Sequence, residues 1–195
     1  MSDIVHLIDD DEDVRRGLSF LLGTAGFAVK VYESAVQFLD KRASDGCIVS
    51  DVRMPDMDGL QLLRRLKETG VTLPVIVMTG HADVALAVEA MKLGALDFIE
   101  KPFSDEVLIG AIKSALERQN SPAAGDVDQI RSRMASLTER ERDVLNGLLA
   151  GHPNKTIAFD LGLSPRTVEV HRAKVMTKMG ASSLSELVRM ALSAA

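Results

Sequence analysis

Residues 47–68, CIVSDVRMPDMDGLQLLRRLKE, contain an apolar strand, a polar loop and an amphipathic helix in succession. The run Ile48–Ser50 is short and apolar, which is typical of a buried strand. Leucines then recur three and four residues apart between 58 and 69, the spacing that places them on one helix face. Four further strand-then-helix units flank this one. The alternation predicts a five-stranded parallel sheet with helices on both faces, a doubly wound (βα)5 fold of the α/β class.

The other predicted elements of this half follow the same two periodicities. The strands are Ile4–Ile8, Val29–Tyr32, Ile48–Ser50, Val75–Thr79 and Phe98–Glu100. The helices cover about 12–25, 35–42, 58–69, 84–93 and 105–118, with Gly26, Gly70 and Gly94 as their C-terminal caps.

The composition is that of a folded protein without membrane-spanning segments. Of 195 residues, 46% are hydrophobic, which is enough for buried cores. The longest apolar runs fall far short of the ~20 residues that a membrane helix needs, and the start lacks the pattern of a secretion signal. The single cysteine, Cys47, lies in an apolar run, so no disulfide framework is expected. These features predict a cytoplasmic protein with no membrane partner.

The two halves of the chain differ in charge. The first 118 residues carry 20 acidic and 13 basic side chains, whereas the remainder carries 8 and 10. A small, polar stretch with proline and glycine, residues 119–126, marks a boundary between them. We predict a first domain over 1–118, a linker over 119–135 whose end can continue as a connecting helix, and an all-helical domain over 136–195.

The all-helical domain carries the capping signals of four helices. Polar side chains that cap a helix N-terminus precede three of them, and glycines follow two. The signals are a capping box at Thr138–Glu141 with Gly151 closing the first helix, Gly162 after a helix over about 154–161, Ser164 with Pro165 before the third, and Ser183–Glu186 before the last.

Polar residues in the first domain follow the predicted strands at their carboxyl ends, where open parallel sheets bind ligands. They are Asp9, Asp10 and Asp11 after the first strand, Asp51 at the end of the third, Thr79 at the end of the fourth, and Lys101 with Pro102 after the fifth. Clustered carboxylates repel one another unless a cation compensates, and an all-oxygen site suits Mg²⁺. We expect Asp51 to attack phosphorus in line, Lys101 to pair with the transferred group and the Thr79 hydroxyl to bind the product.

Four motifs in this order resemble the receiver domain of two-component response regulators over about residues 3–118. They are the acidic pair after the first strand, Val49–Gly59 around Asp51, Met78–His81, and Phe98–Phe103. The resemblance implies that Asp51 accepts a phosphoryl group from a sensor histidine kinase. It also implies that Mg²⁺ is held by Asp10, Asp51 and the backbone carbonyl of Arg53, with Asp9 acting through water.

Three consecutive aspartates leave the register of the acidic pair open. Family spacing favours Asp9 and Asp10, with Asp11 at the N-terminus of the first helix.

The resemblance further implies a cis bond between Lys101 and Pro102, and a switch role for the aromatic side chain of Phe98, for which a place in the core is the alternative. Phosphorylation would then rearrange the surface over about Val84–Leu116, which dimerises. Gly59 is expected to provide a bend.

The predicted helix from Pro165 to Met179 has two unlike faces at 100° per residue. Val168, Val175 and Met179 form an apolar side with His171 beside it, whereas Arg166, Val170, Ala173 and Thr177 lie opposite. Small apolar side chains on an exposed face allow close approach to base edges and thymine methyls, and Glu169 could accept from cytosine. The candidate DNA contacts are Lys155, Arg166, Thr167, Glu169, Val170, His171, Ala173, Lys174 and Lys178; Arg172 has no assigned role.

The segment 137–192 resembles the LuxR-type output domain of the FixJ and NarL regulators, and the receiver motifs are closest to the FixJ branch. The match runs through Leu137–Leu145, Asn154–Ala158, Leu163–His171 and Lys178–Gly180. The resemblance implies a homodimer on paired half-sites of double-stranded DNA, contact with RNA polymerase, and activation of transcription, with nitrogen-fixation genes as possible targets. No enzyme activity beyond the domain's own phosphorylation and dephosphorylation is expected. An aspartyl phosphatase and a protein-binding adaptor are the alternatives.

Overall fold

The computed structural model describes residues 3–80, 84–120 and 127–194, without the side chains of 118–120. These residues form two compact units, the first within 1–81 and 93–122 and the second within 82–92 and 123–195. The elements in chain order are β1 (Ile4–Ile8), α1 (Glu12–Thr24), β2 (Ala28–Tyr32), α2 (Ala35–Asp40), β3 (Cys47–Asp51), α3 (Gly59–Glu68), β4 (Val75–Thr79), α4 (Val84–Leu93), β5 (Asp97–Glu100), α5 (Asp105–Asn120), α6 (Val127–Ala135), α7 (Glu139–Leu149), α8 (Asn154–Leu161), α9 (Pro165–Met179) and α10 (Leu184–Ala194).

The sheet is parallel throughout, with the strand order β2-β1-β3-β4-β5. β3 and β4 are buried along their whole length, as expected for strands covered on both faces. Val5 and Leu7 of β1 share a core with Leu22 of α1 and Ile112 of α5. Successive side chains of a strand point to opposite faces, so His6 lies on the other face, where its ring contacts Phe38 of α2. The predicted doubly wound α/β fold is confirmed.

The second unit contains a helical core formed by α6 to α10. Ile130 of α6, Leu145 and Leu148 of α7, and Val168 and Val175 of α9 are buried there. The local signals act as predicted. Thr138 and Glu141 form a reciprocal capping box on α7, Ser164 caps α9 with Pro165 in its first turn, and Gly162 ends α8 in the left-handed conformation. Gly180, which was not predicted as a cap, ends α9 in the same conformation.

The predicted linker, residues 119–135, is only partly covered by the structure. Residues 121–126 lie outside the described part of the chain. Residues 127–135 form α6, and Ile130 of this helix is buried in the second core. No helix in the described part of the chain is long and apolar enough to cross a membrane.

Candidate functional site

An ion-paired cluster lies at the carboxyl ends of β1, β3 and β5. The Nζ of Lys101 donates to Asp51 Oδ1 at 2.6 Å and to Asp9 Oδ2 at 2.9 Å. Asp9 directly follows β1, Asp51 ends β3, and Lys101 directly follows β5. The side chain of Asp9 is almost fully buried and that of Asp51 is 11% exposed. One ammonium group is therefore shared by two buried carboxylates that are 42 residues apart in the sequence.

The environment shifts the protonation of this cluster. Burial raises the pKa of Asp9, an effect that hydrogen bonds from Lys101 and from the Asp11 N–H oppose. Burial alone would lower the pKa of Lys101, but the hydrogen bonds and charges of Asp51 and Asp9 outweigh it, so the Lys101 pKa is raised. Lys101 is thus a permanent cation in the site. With both carboxylates ionised, the three groups keep a net negative charge.

The three consecutive aspartates differ in their backbone positions and contacts. Asp11 is the N-cap of α1, and its side chain accepts from the N–H groups of Asp13 and Val14. Asp9 Oδ1 accepts from the Asp11 N–H at 3.0 Å, which turns the Asp9 carboxylate into the site. Asp10, between them, is exposed. Asp11 thus lies at the N-terminus of the first helix, as expected, and the pairing of Asp9 with Asp10 stays a prediction.

The remaining predicted residues of this site are distributed around its edge. Thr79 is fully buried at the end of β4, and its carbonyl accepts from the Lys101 N–H at 2.7 Å. The Arg53 N–H donates to Asp51 Oδ2 at 2.6 Å, so the Arg53 backbone borders the carboxylate.

Three further predictions concern residues on β5 and the segments beside it. Phe98 is half-buried on β5. The peptide bond between Lys101 and Pro102 is cis. His81 lies outside the described residues.

Gly59 has a different role from the bend expected of it. Its φ is not in the left-handed region. A Cβ atom at this position would lie 2.6 Å from the backbone oxygen of Asp51, closer than real Cβ contacts come. The Gly59 N–H also donates to the Val52 carbonyl at 2.8 Å. The residue is therefore required by the close approach of α3 to the backbone at the end of β3.

Sequence reasoning missed Arg15, which supports the loop carrying the aspartates. Its Nη1 donates to the Asp9 backbone carbonyl at 2.7 Å. Arg15 lies four residues beyond the N-cap Asp11, so it stands one helical turn along α1. A basic residue four positions after the N-cap could have indicated this contact. Single arginines on helices are common, however, so the spacing alone did not distinguish Arg15.

The exposed face of α9 carries the predicted DNA-reading residues. Val168, Val175 and Met179 are fully buried, and Val170 is 50% exposed on the opposite side. The exposed members of the predicted set are Lys155, Arg166, Glu169, Val170, Ala173, Lys174 and Lys178. The division of α9 into a core face and a solvent face is as predicted.

Three members of the predicted DNA set have other contacts or are partly enclosed. Thr167 is half-buried, and its hydroxyl shares a hydrogen bond with Ser164 at 2.8 Å. His171 is half-buried, with its Nδ1 buried and lacking a hydrogen-bond partner. The Nζ of Lys178 donates to Glu141 Oε2 at 2.7 Å and to the Ser136 carbonyl at 3.2 Å. The structure therefore gives Lys178 a role within its own unit.

The Glu141 carboxylate is buried and accepts two hydrogen bonds. The hydrogen bond from Lys178 and that from the Thr138 N–H lower its pKa to about 2. Because the folded-state pKa lies below the ordinary value of 4.5, this carboxylate contributes stability that is fully present above the ordinary value. The contribution is lost as pH falls through that value towards about 2.

We expect Glu141→Gln to lower the stability of the second unit at neutral pH and to reduce the dependence of that stability on pH between 4.5 and about 2. Amide hydrogen exchange at Val144 and Leu145 in α7 measures this stability across the pH range. Glu139→Gln is the matched control, because Glu139 is exposed in the same first turn. A pH profile for Glu141→Gln that matches the wild type would contradict the assignment.

Comparisons with known protein families agree with this organisation. The family described as response regulator receiver domain matches residues 5–113, and that described as bacterial regulatory proteins, luxR family, matches residues 135–191. A chain in which these two domains follow one another is a response regulator with a DNA-binding output domain. A histidine kinase is the partner that the first domain implies, and DNA is the ligand that the second implies.

Individual relatives show which group of response regulators the chain is similar to. The chain is 56% identical to the transcriptional regulatory protein FixJ of Rhizobium meliloti, over 96% of this chain and 94% of that protein. It is 57% identical to FixJ of Azorhizobium caulinodans, over 96% and 91% respectively. The crystal structure of full-length FixJ from B. japonicum matches with a TM-score of 0.60 and 51% identity, covering 100% of this chain and 98% of that one. The chain belongs to the FixJ-like response regulators, which join a receiver domain to a LuxR-type DNA-binding domain for transcription regulation by phosphorylation.

Proposed function

We propose that Asp51 is the phosphoacceptor and that its phosphorylation by a sensor histidine kinase controls DNA binding by α9. The observation that carries the proposal is the bridge from Lys101 Nζ to both Asp51 and Asp9 at the carboxyl edge of the sheet. A nucleophilic carboxylate and a permanent cation are thus in contact at the edge where such sheets bind ligands.

The donor set of the site fits Mg²⁺. The described residues contain no group of three or more Asp, Glu, His or Cys side chains placed to hold a metal ion, so a backbone oxygen has to complete the set. We assign the carboxylates of Asp10 and Asp51 and the carbonyl of Arg53 as direct ligands, with Asp9 acting through water. All are hard oxygen donors in a cluster of net negative charge, which suits this ion. Bound Mg²⁺ supplies charge neutralisation for the phosphoryl oxygens.

The chain's own residues perform the transfer. Asp51 Oδ attacks phosphorus in line, the new O–P bond forms, and the P–N bond to the kinase's phosphohistidine breaks with its electron pair going to the imidazole. Lys101 exchanges part of its contact with Asp51 for the transferred oxygens. The Thr79 hydroxyl donates to the product. Phe98, adjacent to the buried strand ends, moves with Thr79 as the switch aromatic. The chain modifies itself and turns over no separate substrate.

The output of this switch is sequence recognition by the exposed face of α9. We assign base contacts to Arg166, Glu169, Val170 and Ala173, and phosphate contacts to Lys155, Thr167, His171, Lys174 and Lys178. Residues 164–178 carry four basic side chains against one acidic, so one subunit binds weakly. Phosphorylated chains therefore act in the cytoplasm as a homodimer on paired half-sites, where they contact RNA polymerase and activate transcription. Nitrogen-fixation genes are candidate targets because the similar proteins are FixJ regulators.

The proposal is tested by titrating a labelled duplex with the full-length chain after treatment with acetyl phosphate and Mg²⁺. We expect affinity to fall steeply with salt and to be lost when a chelator replaces Mg²⁺ during phosphorylation. Lys174→Ala should reduce the slope of log affinity against log salt by about one, because one phosphate contact is removed. Lys113→Ala, an exposed lysine on α5, is the control and should leave the slope unchanged. Binding insensitive to salt and to phosphorylation would refute the proposal.

A further inference from the structure

The C-terminal turn of the recognition helix α9 is held by a side chain from α6. Arg133 Nη1 donates to the backbone carbonyl of Met179, the last residue of α9, at 2.8 Å. The carbonyl groups of the last turn have no partner within the helix. A guanidinium group there satisfies one of them and also opposes the negative end of the helix dipole. Arg133 therefore caps α9 from another helix.

A second cation ties the same two segments in the opposite direction. Lys178 of α9 donates to the backbone carbonyl of Ser136, in the turn between α6 and α7, and to the buried carboxylate of Glu141. Arg133 reaches from α6 to the end of α9, whereas Lys178 reaches from α9 back to the turn after α6. The end of α9 is thus joined to α6 and to the turn after it by two separate hydrogen bonds.

The residue that follows α9 leaves room for this contact. Gly180 adopts φ 69, and a Cβ atom there would lie 2.9 Å from Arg133 Nη1. Any side chain at this position would meet the guanidinium group. α6 is itself anchored, because Ile130 is buried in the core of this unit. The segment before the DNA-binding domain thus provides a fixed support for the arginine.

We propose that Arg133 is a positioning residue for DNA recognition: from α6 it fixes the end of α9, and with it the angle at which the exposed face of α9 enters the major groove. This inference rests on the proposed DNA-binding function. Arg133 touches no base, so its effect is on discrimination between sequences. Base contacts depend on angle, since hydrogen bonds weaken steeply when misaligned, whereas contacts with phosphates tolerate small rotations.

The test compares two duplexes of equal length with the phosphorylated full-length chain. One is the genomic fragment selected by the wild-type protein, and the other has a mixed sequence. The ratio of their dissociation constants measures discrimination. We expect Arg133→Met to lower this ratio about tenfold, roughly the discrimination that one base contact carries and that is lost when this contact is misaligned, and Arg133→Lys to restore much of it.

Arg131→Met is the matched control, since it removes the same charge from the same helix. Arg131 is exposed and reaches the Ala194 carbonyl only at 3.4 Å, so the ratio should stay within about twofold of the wild type. A merely structural role for Arg133 would weaken binding to both duplexes in parallel. Such parallel loss, or an unchanged ratio in Arg133→Met, overturns the inference. If the wild type itself shows no salt-sensitive DNA binding, the proposed function fails instead.

Discussion

The Asp51→Asn substitution is expected to abolish phosphoryl incorporation while leaving the fold intact. A carboxamide lacks the anionic oxygen that forms the acyl phosphate, so no covalent product accumulates. The side chain keeps its size and its acceptor oxygen. It can still accept from either the Arg53 N–H or Lys101, both of which contact Asp51 at 2.6 Å. Phosphate-dependent dimerisation should disappear with the phosphoryl group.

Intact-protein mass after treatment with acetyl phosphate and Mg²⁺ measures incorporation, and light scattering on a sizing column measures dimerisation. Asp56→Asn is the matched control. It makes the same chemical change in the same loop, at an exposed residue whose positive φ of 65 asparagine tolerates. The control should incorporate phosphate as the wild type does. Full incorporation in Asp51→Asn would place the acceptor elsewhere and remove the basis of the proposed function.

The Lys101→Met substitution is expected to separate metal binding from phosphoryl transfer. Removing the shared ammonium makes the site more negative, so Mg²⁺ should bind more tightly. The same change leaves the transferred oxygens without their protein cation, and we expect phosphorylation to slow roughly 100-fold, as when one electrostatic stabiliser is lost from an active site. The opposing effect of Lys101 on the pKa of Asp9 is also lost, so Asp9 should become protonated at higher pH.

Calorimetry with Mg²⁺ and the rate of mass increase with acetyl phosphate give the two quantities independently. The control is Lys113→Met, which removes an exposed lysine from α5 and should alter neither. Weaker Mg²⁺ binding in Lys101→Met would mean that the ammonium supports the metal site. A wild-type phosphorylation rate would mean that it takes no part in the transfer.

The doubly wound sheet and its functional edge could be predicted from sequence because both depend on local patterns. Apolar runs and helical periodicity define the order of elements, and a parallel sheet brings all strand carboxyl ends to one edge. Asp51, Thr79 and Lys101 each end or follow a strand, so their convergence needs no knowledge of distances. The helix caps at Thr138 and Ser164 depend on residues three apart and were predicted for the same reason.

Contacts between distant side chains could not be predicted in this way. Arg15, Arg133 and Lys178 read as ordinary exposed cations, and only the packed fold brings each to a particular carbonyl or carboxylate. The DNA contact of Lys178 stays a prediction, whereas its bonds to Ser136 and Glu141 were not anticipated. The requirement for glycine at position 59 could not be predicted either, because the close approach of two backbone segments leaves no pattern in the sequence.

The missing side chain at Gly59 also has a mechanical meaning. The first turn of α3 lies against the backbone oxygen of Asp51, and no side-chain atoms of residue 59 lie between them. We therefore expect a displacement of the Asp51 backbone to displace this turn as well. α3 is ten residues long, or about 15 Å, and its first turn lies beside Asp51. We expect a shift of the Asp51 backbone to reach the last turn of this helix, where Arg65 and Glu68 are exposed.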